Sequence, residues 1–169
     1  MIKTALKIRI LQKNGAVWRD LAKGCAQAGA VSVHAGVLAG AKNEDGENIA
    51  EYAAANEFGA PDIPARPFMR KAARECGGDW AKILASALKG RLMHDKGAAA
   101  RALTAVGRTA QADIQSAILS NVPPPNSPEY AKSKQKKHGG YSGTLFLSGD
   151  MYRSINFEVC ASARETARK

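Results

Sequence analysis

Aromatic residues and cysteines are scarce in this chain of 169 residues. Phe, Trp and Tyr make up only 6% of it, although hydrophobic residues as a whole reach 45%. The hydrophobic content excludes wholesale disorder, and the core has to be built largely from small aliphatic side chains on helices. The three cysteines, an odd number, lie far apart and form no Cys-x-x-Cys pair. This spacing excludes a zinc ribbon or a dithiol redox motif and predicts a reduced, intracellular environment.

Long apolar runs are missing as well. The first residues alternate between apolar and charged types instead of forming the apolar centre of a signal peptide. The sequence therefore predicts neither a membrane span nor a recognisable export signal, and membranes are not expected among the partners.

Motifs of catalysis and cofactor binding are not found. No Gly-x-Gly-x-x-Gly follows a predicted strand, and no P-loop motif occurs. His34, His94 and His138 stand alone, without the spacing of a metal site. The stretch GYSGT at 140–144 resembles a nucleophile elbow, but Thr144 replaces the second glycine. We therefore predict that the protein is not an enzyme and that it needs no cofactor or metal.

Positive charge is abundant, with a formal net charge of +10. Such a balance favours acidic partners, either nucleic acid or acidic protein surfaces. Much of the excess lies in the C-terminal tail and in YAKSKQKKHGGY at 130–141, where lysines lie between two tyrosines. Because the tyrosines stand only at the two ends, a solvated loop or one ordered against an acidic neighbouring subunit is favoured over a DNA-binding surface.

Hydrophobic periodicity predicts three strands separated by helices. Alternation marks strands at 4–10, at 31–37 and from Ile155 to Val159. A short helix is expected through Trp18, and another begins after Asn48, with Glu51 in a capping-box pattern. A helix from Phe68 is predicted to end at Gly77-Gly78, and a second one, capped by Asp79, to run to Gly97. A further helix covers about 98–120, with one apolar stripe: Leu103, Val106, Ala110, Ile114 and Ile118.

These elements predict an α+β fold with a small antiparallel or mixed sheet and helices packed on one face. Three consecutive prolines at 123–125 end the last long helix, and a long Pro-, Lys- and Gly-rich loop at 121–143 precedes the last strand. We expect that loop to be extended and mobile. The chain is predicted to form a single domain over 1–160, followed by a polar tail at 161–169.

The stretch NEFGAPDIPARPFMR at 56–70 predicts a stiff corner. Gly59 can end the preceding helix in a left-handed conformation. Pro64 and Pro67 hold the residues before them out of helical conformation, and Pro67 suits the first turn of the next helix. Phe68 is predicted to be the buried anchor. A corner that is already rigid loses little entropy when it docks on a partner.

Three segments resemble the proteins that complete the tail or join the head to the tail in Mu-like and lambda-like phages. They are IAEYAAANEFGAPDIPARPFMRKA, PPPNSPEYAKSK and LFLSGDMYRSINFEV, in the order and approximate spacing typical of that family. The resemblance covers roughly 31–159. It implies an α+β virion protein that forms a ring, expected to be a hexamer, at the neck or the proximal end of the tail.

The resemblance also implies partners and a location. The expected partners are further copies of this chain, the tail tube and the connector proteins of the head, with DNA in the channel as another possible contact. The virion, assembled in the bacterial cytoplasm, is the expected location.

An alternative function for the chain is that of a basic nucleic-acid-binding module. We predict a subunit interface formed by Glu57, Arg66, Phe68, Arg70, Lys132, Lys134, Lys136 and Lys137, with the arginines contacting carboxylates of an adjacent subunit.

Overall fold

Two strands and five helices form the described part of the chain. The computed structural model describes residues 31–38, 40–43, 45–92, 97–138 and 143–161. The predicted strand at 4–10, the helix through Trp18 and the tail from 162 onward lie outside these residues. The elements are β1 (Val31–Val37), α1 (Ile49–Phe58), α2 (Phe68–Leu92), α3 (Ala98–Leu119), α4 (Pro128–His138), α5 (Asp150–Ser154) and β2 (Ile155–Ala161).

The sheet pairs β1 with β2 in antiparallel fashion, although the two strands lie at opposite ends of the described chain. The register places Val31 opposite Ala161 and Val37 opposite Ile155. Because side chains alternate along a strand, the apolar residues of both strands share one face and the polar residues share the other. The apolar face packs on α3, where the ring of Phe157 lies against Gly107. The prediction of an α+β fold is confirmed.

The core lies where the corner, α1, α3, α5 and the start of β2 meet. Phe68, Ile118 and Ile155 are its largest fully buried side chains. Each contributes about 1.5–3 kcal/mol relative to an exposed position. The predicted stripe of α3 is buried at four of its five positions, and Leu103 is half-buried. No helix among the described residues is long and apolar enough to cross a membrane.

Helix α2 corrects the prediction of a break at Gly77-Gly78. It runs without interruption through both glycines to Leu92. A glycine inside a helix costs about 0.5–1 kcal/mol relative to alanine. The packing of α2 along α3 offsets that cost, and Trp80 secures it by donating from Nε1 to Asp113 Oδ2 at 2.6 Å. Asp79 lies inside the helix and pairs with Lys82 instead of capping a new one.

Helix α4 corrects the prediction of a continuous loop at 121–143. It begins at Pro128, and the Ser127 hydroxyl oxygen accepts a hydrogen bond from the backbone N–H of Tyr130 at 3.2 Å. Serine before the first turn and proline at its first position are both typical of a helix start. The composition of residues 121–143 indicated a loop, whereas the pair Ser127-Pro128 within them indicated the start of a helix.

Candidate assembly surface

The corner between α1 and α2 is held by backbone hydrogen bonds. At the opposite end of α1, the side chain of Asn48 caps the helix as predicted, because its Oδ1 accepts a hydrogen bond from the backbone N–H of Ala50. Gly59 ends the helix with a φ of +89°. Ala60 and Ile63 then exchange two backbone hydrogen bonds of 2.8 and 3.0 Å, which close a tight turn. The predicted rigidity of the corner thus has a basis in its hydrogen bonds as well as in its prolines.

Glu57 caps the start of α2 from inside the subunit. The residue is 3% exposed, and its side chain accepts hydrogen bonds from the backbone N–H groups of Met69 at 2.9 Å and Arg70 at 3.1 Å. A carboxylate at this end of a helix also interacts favourably with the helix dipole. Arg70 completes the arrangement by donating from Nε to the same carboxylate at 2.9 Å. Glu57 therefore stabilises the corner and does not face outward.

Phe58 is the aromatic residue that the corner presents to solvent. It is 71% exposed, and the Arg70 guanidinium lies over its ring, 5.1 Å from the centroid. Phe68, the predicted anchor, is completely buried, so its anchoring role is internal. Phe58 was not among the predicted interface residues. Its exposure could have been predicted from the helical period, because Ile49, Ala53 and Glu57 repeat every four residues on the buried face, and Phe58 falls one residue beyond them.

Arg66 connects the corner to the proline-rich segment. Its Nε donates to the carbonyl of Pro124 at 2.8 Å, and its Nη2 donates to Asn126 Oδ1 at 3.1 Å and to the carbonyl of Pro125 at 3.4 Å. The residue is 7% exposed, and this burial lowers the pKa of its guanidinium. The prediction that Arg66 contacts a carboxylate of a neighbour needs correction, because acceptors of its own chain take these donors.

Lys134 connects α4 to residues 143–144, much as Arg66 connects the corner to residues 124–126. Its ammonium donates to the carbonyl of Gly143 at 2.6 Å, and only 4% of the residue is exposed. Burial lowers the pKa of Lys134, and the nearby charge of Arg66 lowers it further. Within the described part of the chain neither cation forms an ion pair. Two buried positive charges therefore lie near each other with carbonyl and amide oxygens as their partners.

The remaining predicted lysines divide according to the helical period. Lys132 and Lys136, four residues apart on α4, are exposed, while Lys134 between them faces inward. The side chain of Lys137 lies outside the described residues. The structure thus brings Glu57, Arg66, Phe68 and Arg70 together at the corner, places Lys134 near Arg66, and leaves Lys132 and Lys136 at the surface.

The segment LFLSGDMYRSINFEV at 145–159, called the closing segment below, forms a compact turn before β2. Gly149 adopts a φ of +88°, and a side chain there would press against Arg153 and the ring of Phe146. The Ser148 hydroxyl donates to the Asp150 carboxylate, and Arg153 pairs with the same carboxylate. The hydrogen bond from Ser148 lowers the pKa of Asp150, and Arg153 lowers it further. Met151 and Ile155 are buried, as predicted.

A groove of about 940 Å³ lies between the corner, α4 and the closing segment. It contains Arg66 and Lys134, and its lining includes the carboxylates of Glu47, Asp62 and Asp150. The exposed apolar side chains of Tyr130 and Leu147 are also part of it. All of its lining residues except Asn43, Glu47 and Thr144 belong to the three segments that carry the family resemblance.

Comparison of the chain with protein-family models, with curated proteins and with solved structures finds no match.

Proposed function

We propose that this chain is a structural virion protein of a tailed phage or prophage. It acts in tail completion or head–tail joining, as a ring-forming subunit at the neck or the proximal end of the tail. The observation that carries the proposal is the convergence of three separate segments on one groove. Each segment resembles the same family, and their meeting in space is what a shared functional surface requires.

The mechanism is geometric and involves no chemical step. Identical subunits close a ring through a heterologous interface, in which two different patches of the subunit meet. The corner supplies a rigid patch, because Glu57, Arg66 and the paired backbone bonds of Ala60 and Ile63 fix its shape before contact. Preorganisation of this kind reduces the entropy lost on docking.

Phe58 is the side chain of the corner best suited to contact a neighbour. Aromatic residues and arginines are enriched among the residues that dominate binding energy at interfaces. Here the two occur together, with the Arg70 guanidinium stacked on the exposed ring of Phe58. An adjacent copy of the chain that covers this pair would bury an apolar surface that the isolated subunit leaves in water.

The net charge of the chain, +10, favours an acidic segment of the neighbouring subunit or of an adjoining ring as the partner. The groove itself is lined by charges of both signs, because the acidic residues Glu47, Asp62 and Asp150 lie around the buried cations Arg66 and Lys134. Complementary charge accelerates encounter and fixes orientation more than it adds affinity. The tail tube and the head-side connector are the expected neighbours on the two sides of the ring, and DNA passing through the channel is a further contact.

Measurement of the assembly state of the purified chain tests the proposal against a nucleic-acid-binding role. Native mass spectrometry and negative-stain microscopy should show closed rings. A monomer that binds DNA in a salt-dependent manner, and loses that binding in the Lys132→Glu, Lys136→Glu variant, would overturn the assembly role.

A further inference from the structure

The solvent face of the sheet carries a cluster of three different metal-binding side chains. In the register of β1 and β2, His34 lies directly opposite Glu158, and Ser32 lies opposite Cys160. All four positions have the same parity along their strands, so their side chains project from the face opposite α3. His34 and Glu158 are exposed, and Cys160 is half-buried.

The ligand atoms of this cluster lie close together. His34 Nδ1 is 3.4 Å from Glu158 Oε1 and 3.8 Å from Cys160 Sγ. One ligand atom from each of the three residues lies within 4.8 Å of the others. The three side chains therefore already point toward a common centre.

Tetrahedral zinc geometry fits the two separations that involve His34 Nδ1. Zn–N bonds of about 2.0–2.1 Å, Zn–O bonds of about 2.0–2.2 Å and Zn–S bonds of about 2.3 Å place nitrogen and oxygen about 3.4 Å apart and nitrogen and sulfur about 3.6 Å apart. The observed nitrogen–oxygen distance matches, and the nitrogen–sulfur distance differs by a few tenths of an ångström. Small rotations of exposed side chains close that gap.

The second nitrogen of the His34 ring also has a partner. Nε2 lies 3.2 Å from the hydroxyl oxygen of Ser32, which can accept a hydrogen bond from the protonated nitrogen. An outer partner of this kind fixes the tautomer and leaves Nδ1 free as the ligand. Ser32 thus orients the ring toward Cys160 and Glu158.

We infer that His34, Glu158 and Cys160 form a binding site for Zn²⁺ or a similar borderline divalent cation. The thiolate and imidazole exclude Mg²⁺ and Ca²⁺ as preferred occupants, because those ions prefer oxygen ligands. Three protein ligands leave one tetrahedral position open to water. The bound ion links β1 to β2 through one ligand on β1 and two on β2. This role is independent of the assembly function proposed above.

Titration of the reduced full-length protein with Co²⁺ and Zn²⁺ tests the inference. One equivalent of Co²⁺ should produce the charge-transfer absorption of a thiolate–cobalt bond, and Zn²⁺ should displace it. Cys160→Ser should abolish this absorption, whereas Cys76→Ser, which changes a cysteine on α2, should preserve it. The Ser32→Ala variant should bind Zn²⁺ about ten-fold more weakly, and His34→Ala and Glu158→Gln more weakly still.

Two results would overturn the site. The first is the absence of thiolate–cobalt absorption in the wild-type protein, and the second is its persistence in Cys160→Ser. Circular dichroism of each variant checks folding, and the substituted side chains other than Cys76 lie on the sheet face that does not pack on α3. A failure of this site leaves the proposed assembly function untouched, because the groove and the corner lie elsewhere.

Discussion

At the scale of single residues, Arg66 joins two segments that lie 58 residues apart in the sequence. Its planar guanidinium reaches three acceptors in the stretch 124–126, a geometry that an ammonium group does not reproduce. The residue is 7% exposed and its hydrogen bonds are partly buried, so solvent replaces them only in part when they are lost. Its identity as arginine is therefore a requirement of the fold, although the sequence suggested a contact with a neighbour.

Arg66→Lys should accordingly lower the free energy of unfolding. We expect a loss of about 1–3 kcal/mol, since partly buried hydrogen bonds to a charged group are lost. Chemical denaturation of the purified variant measures it. Arg74→Lys, at an exposed position of α2, is the matched control and should stay within about 0.5 kcal/mol of wild type. Equal effects of the two substitutions would show that the contacts of Arg66 contribute little.

Phe58→Ala is a second prediction at this scale, and we expect it to weaken ring association while leaving subunit stability nearly unchanged. Phe58→Ala should change the stability of the subunit by less than about 1 kcal/mol, because it removes only an exposed ring and its contact with Arg70. Ring association should weaken ten-fold or more, which is about 1.4 kcal/mol. Sedimentation measures the association. Leu84→Ala, at an exposed leucine of α2, should leave it unchanged, and equal losses in both variants would contradict the role of Phe58.

At the scale of elements, α2 shows how packing overrides a local signal. Gly77 and Gly78 predicted a break, yet the helix continues through them, and added methyl groups would meet nothing within 4 Å. Gly107 in α3 is the contrasting case, because a methyl group there would collide with the ring of Phe157. The first pair is tolerated by the fold, while Gly107 is required for the approach of β2.

The double variant Gly77→Ala, Gly78→Ala should therefore be more stable than wild type, by about 1–2 kcal/mol in total. Gly107→Ala should be less stable by about 1–3 kcal/mol, because it overpacks the contact with Phe157. Thermal and denaturant unfolding distinguish the two. Destabilisation by the double substitution would mean that α2 bends or opens at the glycines.

The corner is the element on which the proposed function depends. Pro64→Ala together with Pro67→Ala should affect assembly more than folding. Each proline restricts the unfolded chain by about 0.4–1 kcal/mol, a modest share of stability, whereas a looser corner must be ordered again at every contact. Unfolding curves and ring formation, measured on the same preparation, provide the comparison. Equal losses in both would mean that the corner serves only the fold.

At the scale of the whole molecule, features set by neighbouring residues could be predicted and features set by distant ones could not. The cap at Asn48, the stop at Gly59 and both strands of the described sheet follow from local patterns, and all were predicted. The contacts of Arg66 and Lys134 depend on how segments far apart in sequence meet, which periodicity does not encode. His34 and Cys160 gave no metal-site signal either, because only the strand register brings them together.

Deletion of the gene from the proposed phage or prophage tests the central claim most directly. Electron microscopy of the lysate should show filled heads separate from finished tails if the protein joins them, or overlong tails if it ends tail growth. Wild-type protein supplied from a plasmid should restore joined particles, and Phe58→Ala should restore fewer. Normal, infectious virions in the absence of the gene would contradict the assembly function.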